Sequence, residues 1–234
     1  MKKGLIITID GPSGAGKSTV AKLLARSLGY TYIDTGAMYR GIAYAYQAER
    51  GQRAEDREQR AESTTPLNNM EVFLENLSMR FEFGETARVF LDDKDISGNI
   101  RTPEISLLAS NLSQKKEVRG YLTKKQREIG EKGGIVMEGR DTGSVVFPGA
   151  DIKFYLDANP DERAKRRHIE LSVKNIDAEI SRVKEEMSKR DRDDSERDIA
   201  PLTIPQGSVV IDTTGIDAKG VADALLKHIK GLKL

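Results

Sequence analysis

The stretch Gly11-Pro12-Ser13-Gly14-Ala15-Gly16-Lys17-Ser18 fits G-x-x-x-x-G-K-[ST], a spacing suited to holding the phosphates of a nucleotide. Its glycines let the backbone curl so that successive N–H groups face phosphate oxygens, and the helix expected to start there adds partial positive charge. Lys17 is placed to reach the β and γ phosphates, and the Ser18 hydroxyl to ligate Mg2+ with ATP as co-substrate. Gly11, Pro12, Ser13, Gly14, Ala15, Gly16, Lys17, Ser18 and Thr19 form the expected ATP site. Such a cradle names no acceptor, because ATPases, GTPases and small-molecule kinases all use it.

Two further motifs carry candidates for the acceptor side. In Asp34-Thr35-Gly36-Ala37-Met38-Tyr39-Arg40, Thr35 can cap or donate, Gly36 permits a sharp turn, and Arg40 emerges one turn into a helix, able to fork onto a phosphate. An ordinary helix cap with a surface arginine reads the same way. Glu138-Gly139-Arg140-Asp141-Thr142-Gly143 sets an adjacent arginine and aspartate between glycines, which makes sense if the two charges face different parts of one ligand. A structural ion pair in a turn is the plainer alternative.

Asn159-Pro160-Asp161-Glu162 starts a helix with a cap, a proline at the first position and acids in the first turn. Arg163, Arg166 and Arg167 then share one face at i, i+3 and i+4, and Arg190 and Arg197 follow on a second charged helix. The two helices are expected to close as an arginine-rich lid over the ATP phosphates, although two solvated helices laced with salt bridges leave the same pattern. Lys17, Arg140, Arg166 and Arg190 are the expected catalytic cations. Phosphoryl transfer to an acceptor that is already an anionic phosphate asks for alignment and charge neutralisation rather than a strong general base.

Positioning these motifs requires a sheet. Leu5–Asp10, Tyr30–Asp34, Gly134–Glu138, Asp151–Asp157 and Ser208–Asp212 are short apolar runs, each followed by a polar or glycine turn and a helical pattern. Ser18 to Leu28 carries Val20, Leu23, Leu24 and Leu28 at helical spacing, and Asp217 to Ile229 carries Val221, Leu225 and Ile229. The alternation predicts an α/β fold of three layers around a central five-stranded parallel sheet. Ligands in such sheets sit beyond the carboxyl ends of the strands, where the runs end in Asp10, Asp34, Glu138, Asp157 and Asp212.

From about 50 to 105 the alternation breaks into a charged run, a helix-like Leu67 to Leu77 and two period-2 segments, Met79–Phe83 and Arg88–Leu91. This interval is read as a small inserted α+β lobe that binds the acceptor, and the lid as spanning about 159 to 198 of the same single domain.

The 234 residues suffice for one such core. A net charge of +1 with 32% charged residues gives no case for a nucleic-acid or membrane partner. Without cysteine, and with only His168 and His228, a disulfide framework is excluded and a structural zinc site is not expected. Asp10 interrupts the first apolar run too early for a signal peptide or a span, so a cytoplasmic protein is expected. Nothing in the hydrophobic pattern demands more than a monomer.

Taken together, the P-loop, Asp34-Thr35-Gly36-Ala37-Met38-Tyr39-Arg40, Glu138-Gly139-Arg140-Asp141, Val145-Val146-Phe147-Pro148, and Arg190-Asp191-Arg192-Asp193 ahead of Ala200-Pro201-Leu202 resemble the bacterial cytidylate kinase family over essentially the whole chain. The resemblance implies transfer of the ATP γ-phosphoryl group to CMP or dCMP. It implies acceptor-phosphate contacts at Thr35, Tyr39, Arg40 and Arg140, base contacts at Ser110, Arg119 and Asp141, sugar contacts at Arg190 and Asp194, and a further nucleotide contact at Arg197. Thr35 stands where serine is expected in many relatives, a departure that keeps the hydroxyl. The chemistry agrees, since a carboxylate at Asp141 accepts from the cytosine amine while Arg119 or Ser110 donates to its ring nitrogen and carbonyl. Another small acceptor, such as UMP, dTMP or shikimate, and a regulatory protein using the P-loop as a switch, are the alternatives that an acceptor panel separates.

Overall fold

A computed structural model of the chain describes residues 4–59, 69–84, 86–173 and 175–232. In chain order the elements are β1 (Ile6–Asp10), α1 (Lys17–Leu28), β2 (Thr31–Asp34), α2 (Thr35–Gln59), α3 (Met70–Glu75), β3 (Met79–Glu82), β4 (Arg88–Leu91), β5 (Lys94–Asp95), α4 (Pro103–Leu112), α5 (Lys116–Gly130), β6 (Ile135–Gly139), β7 (Ile152–Asp157), α6 (Pro160–Val173), α7 (Ile180–Glu196), β8 (Val209–Asp212) and α8 (Ala218–Gly231). A short 3-10 turn, Asn99–Arg101, precedes α4, and a single wide turn, Thr142–Val146, follows β6. Among the described residues no helix is long and apolar enough to cross a membrane.

The chain divides into two compact units, one formed by Met1–Asp34 with Ile129–Leu234 and the other by Thr35–Glu128. The first holds a five-stranded sheet in the order β2-β6-β1-β7-β8, with every neighbouring pair parallel. All five expected strands are present within a residue of their sequence limits, because each is a short β-branched run stopped by a turn. Ile7, Ile9, Val136, Phe154 and Leu156 pack with Val20 and Leu24 of α1 and Val221, Leu225 and Ile229 of α8. Burying a side chain of this size contributes about 1.5–3 kcal/mol. Parallel register places Asp10 opposite Gly139, Asp34 opposite Glu138, and Asp157 opposite Asp212, so the carboxylates at the strand tails line one edge.

In the second unit, β3, β4 and β5 form an antiparallel sheet with Met79 opposite Leu91 and Phe90 opposite Asp95. The short β5 was not expected. The helix expected over Leu67 to Leu77 is α3, capped by Asn69, whose side chain accepts from the Glu71 and Val72 N–H groups; Leu67 lies outside the described residues. Thr102 caps α4 with Pro103 at its first position.

Candidate functional site

The cradle begins where β1 ends. Gly11 has φ +145°, and a Cβ there would lie 2.0 Å from the Leu156 carbonyl oxygen of β7, so only glycine fits between the two strands. The loop closes at Gly16, in the left-handed region with φ 87°, and α1 starts with no side chain capping it. The N–H groups of its first turn are thus available to an anion, with the helix dipole behind them.

Lys17 is buried and donates to the Pro12 carbonyl oxygen at 2.6 Å. Burial, reinforced by the positive charges of Arg140 and Arg190 and opposed by Glu138 and Asp10, pushes its ammonium down to about 7. A buried cation crowded by two others is stabilised by an anion, which is what a phosphate supplies. Ser18, one residue on, is exposed. Nearby, the Tyr32 hydroxyl donates to Glu138 Oε1 at 2.6 Å, both residues being buried. Burial, followed by the Glu138 and Asp34 charges, holds Tyr32 far above its ordinary range, while a hydrogen bond with the Ser18 side chain pulls the other way.

Asp10 has a role that its sequence position concealed. Its Oδ1 accepts from the Thr142 N–H at 2.9 Å and the Thr142 hydroxyl at 2.8 Å, and its Oδ2 from the Gly143 N–H at 2.7 Å. It clamps the wide turn after β6 to the strand that leads into the cradle. Burial pushes its carboxyl up to about 6 against the pull of these three bonds, and the Asp141 charge adds to the rise. The other strand-tail carboxylates are also engaged locally: Asp157 accepts from the Ala158 N–H at 2.8 Å and Asp212 from the Thr214 N–H at 2.9 Å.

Beyond that turn, charges alternate. Arg140 Nε donates to Asp194 Oδ2 at 2.9 Å, Arg197 Nη1 to Asp194 Oδ1 at 3.2 Å, and Arg197 Nη2 stands 3.7 Å from Asp141 Oδ1. Asp194 and Asp141 are buried. Burial alone would raise the Asp194 carboxyl, but Arg140, Arg190 and Arg197 outweigh it and hold the group below the ordinary range. Arg197 lies just past α7 rather than on it, because its backbone turns extended at φ −65°, ψ 141°. From there its Nε donates to the Ala200 carbonyl at 2.6 Å, and the Leu202 N–H reaches the Asp194 carbonyl at 2.7 Å. Ala200 sits in the left-handed region at φ 51°, a strained conformation that these bonds hold in place.

The arginines of α6 do not act as one face. Asn159 caps the helix as expected, its side chain accepting from the Asp161 N–H at 2.8 Å. Arg163 is buried against Asp191 and the Ser13 carbonyl. Arg166 donates to the Thr213 carbonyl at 2.7 Å and the Thr213 hydroxyl at 3.0 Å, and that hydroxyl in turn donates to the Ala15 carbonyl at 3.2 Å. Arg167 pairs with Glu170 at 2.8 Å. Helical spacing fixed their directions, but the surfaces they meet differ.

Lys17, Arg140, Asp141, Arg166, Arg190, Asp194 and Arg197 therefore belong to the first unit. Thr35, Tyr39, Arg40, Ser110 and Arg119 belong to the second, where Thr35 and Arg119 are buried and the Arg119 guanidinium lies 5.7 Å from the Tyr39 ring centre. The sequence reading missed the Asp10 clamp, the Tyr32–Glu138 bond and the Asp191 contacts. Asp10 and Glu138 left a signal as carboxylates closing short apolar runs, and Asp191 as part of Arg190-Asp191-Arg192-Asp193, but none of these patterns names the partner.

A parallel sheet with a glycine cradle after its central strand, and buried cations around that cradle, define a P-loop kinase. A shikimate kinase from Bacteroides thetaiotaomicron shares the fold at a TM-score of 0.50 and 13% identity, covering 97% of this chain and 98% of its own. An uncharacterized protein from Eubacterium ventriosum ATCC 27560 does so at 0.53 and 11%, covering 97% and 99%. The family model for cytidylate kinase matches residues 7–231, and the chain belongs to the cytidylate kinase family. It is 42% identical over 233 residues to the cytidylate kinases of Bacillus cereus (strain ATCC 10987 / NRS 248) and Bacillus thuringiensis (strain Al Hakam), covering 99% of each.

Proposed function

We propose that the chain transfers the γ-phosphoryl group of ATP to CMP or dCMP, giving ADP and CDP or dCDP. The observation that carries this reading is the largely shielded chain of alternating charge, Arg140–Asp194–Arg197–Asp141, built on two buried carboxylates in the same unit as Lys17 and the cradle. Lys17 and the α1 N-terminus hold the ATP phosphates, and Arg166 and Arg190 offset charge on the transferring group. Arg140 serves the acceptor phosphate, and Asp141 accepts from the cytosine amine. Arg190 and Asp194 serve the sugar, with Arg197 as a further contact. Transfer then needs alignment and exclusion of water more than covalent help from the protein. Acceptor contacts are also assigned to Thr35, Tyr39, Arg40, Ser110 and Arg119, each testable by single substitution.

Magnesium fits the donors present. Ser18 offers an exposed hydroxyl at the start of α1, an oxygen donor of the kind a hard cation takes. Among the described residues no group of three or more His, Asp or Glu could hold a metal, so Ser18 would share it with phosphate oxygens and water. An ion held there would offset negative charge on the ATP phosphates.

Uracil turns a carbonyl toward Asp141 where cytosine offers an amine. An opposed pair of buried acceptors costs about 1–3 kcal/mol, or roughly tenfold to over a hundredfold in preference. ADP release should therefore be scored with CMP, dCMP, UMP, AMP, dTMP and shikimate. CMP or dCMP is expected to lead, and Asp141→Ala is expected to narrow the gap to UMP. Equal turnover of CMP and UMP by the unsubstituted enzyme would refute the reading of Asp141.

A further inference from the structure

The inner flanks of α6 and α7 are packed on the P-loop itself. Gly14 has φ +74°, and a Cβ there would lie 2.8 Å from the Arg163 carbonyl oxygen and 2.9 Å from Met187 Cε, so both helices press on the loop at this residue. Met187 and Val183 of α7 share a small apolar core with Ala164 and Leu171 of α6. The two helices therefore bear on the cradle as a pair.

Polar contacts at this junction converge on one P-loop residue. Arg163 Nε donates to the Ala158 carbonyl at 3.0 Å, and its Nη1 donates both to the Ser13 carbonyl at 3.0 Å and to Asp191 Oδ2. The other carboxylate oxygen of Asp191 accepts the Ser13 N–H at 3.2 Å. Both backbone groups of Ser13 are thus held by a pair of opposite charges, one from each helix, whose side chains are only 10% and 17% exposed. A charge-assisted pair so shielded from water holds its geometry better than a surface pair.

The cations assigned to transfer lie next to this junction. Arg190 precedes Asp191 in α7 and its charge bears on Lys17. Arg166 lies one turn beyond Arg163 in α6, with its Nη1 3.9 Å from where a Cβ on Gly16 would stand.

We propose that Asp191 is a positioning residue for phosphoryl transfer: by joining Ser13 of the P-loop to Arg163, it fixes where α6 and α7 hold Arg166 and Arg190 against the ATP phosphates. Asp191 acts through Ser13 and Arg163 rather than on substrate. The inference rests on the ATP half of the proposed function and is independent of the acceptor.

The test compares Asp191→Asn, which keeps an oxygen for the Ser13 N–H but removes the charge facing Arg163, with Asp191→Ala, Arg163→Met and the Asp191→Ala/Arg163→Met double variant. ATP affinity is measured by calorimetry without acceptor, and kcat and KM for ATP are measured with CMP, each beside Tm. Asp191→Ala is expected to weaken ATP binding about tenfold and to lower kcat by at least as much, with Asp191→Asn between it and the unsubstituted enzyme. The double variant is expected to do no worse than the worse single one, since both break the same link. A fall in Tm with ATP affinity and kcat within about twofold of the unsubstituted enzyme would overturn the proposal, as would additive losses in the double variant. If Asp191→Ala does not fold, Asp191→Asn and Arg163→Met decide in the same way. An unsubstituted enzyme that binds ATP but does not phosphorylate CMP would sink the acceptor reading, and the ATP affinities would still decide the role of Asp191.

Discussion

Arginines and carboxylates alternate in two places, one wet and one dry. On the three-stranded sheet, Arg88 reaches Asp95 at 2.8 Å and Glu82 at 3.5 Å, with Arg88 52% and Asp95 39% exposed. Arg80 and Arg88 also place their guanidinium carbons 4.0 and 4.8 Å from the Phe90 ring centre. In the first unit, Arg197 and Asp194 pair at 3.2 Å with exposures of 5% and 8%. The residue types and the nitrogen-to-oxygen distances are similar in the two places, and burial is what differs most. On the sheet, water screens each pair and replaces a lost partner. Around Asp194 each charge depends more on its neighbour, because burial limits how far solvent can replace a lost partner. That dependence also makes the dry network the place where a phosphate anion changes the balance most.

The contrast can be broken or sharpened by substitution. The largest effect is expected at Lys17, where Lys17→Ala should lower kcat about a thousandfold while the fold persists, as judged by circular dichroism. Near-normal turnover would remove the central cation from the mechanism. Next, Asp194→Ala leaves Arg140 and Arg197 without their shared counter-charge and should cost about 3–5 kcal/mol in urea unfolding. A smaller effect, graded with pH, is expected for Asp10→Asn. A carboxyl raised from 3.8 to about 6 in the folded state contributes stability that is complete below pH 3.8 and lost as pH rises through about 6. The advantage of aspartate over asparagine should therefore shrink between those limits by about 1 kcal/mol per pH unit, and an advantage that grows with pH would contradict this account. Last, Arg88→Met should leave Tm and turnover unchanged. If its Tm fell as far as that of Asp194→Ala, burial would not be what separates the two networks.

The sheet was legible because each strand is a β-branched run stopped by a glycine or polar turn, a pattern that local preference and fold topology both favour. The cradle was legible because its glycines, lysine and serine are close in sequence and answer to one physical need. What stayed hidden was long-range. Nothing around Asp10 indicates that it holds Thr142 and Gly143, far away in sequence. Arg163, Arg166 and Arg167 share a helical face, yet one meets Asp191 and the P-loop, one the loop after β8, and one a neighbour on its own helix. Periodicity gives a side chain's direction but not what it meets. Tyr32 reads as a core strand residue, and its hydroxyl gains meaning only once β2 and β6 are paired.

The order of strands in the parallel sheet also bears on how the chain is made. Ile6 pairs with Ile135 and Ile7 with Ile152, so the central strand must wait for partners synthesised more than a hundred residues later. The intervening unit, Thr35–Glu128, is continuous in sequence and is fully emerged before those partners appear. Closing a contact over so long a loop is slow, which leaves the apolar β1 exposed to wrong partners during synthesis. The same strand leads directly into the cradle, so nucleotide binding can develop only after the late segments have arrived.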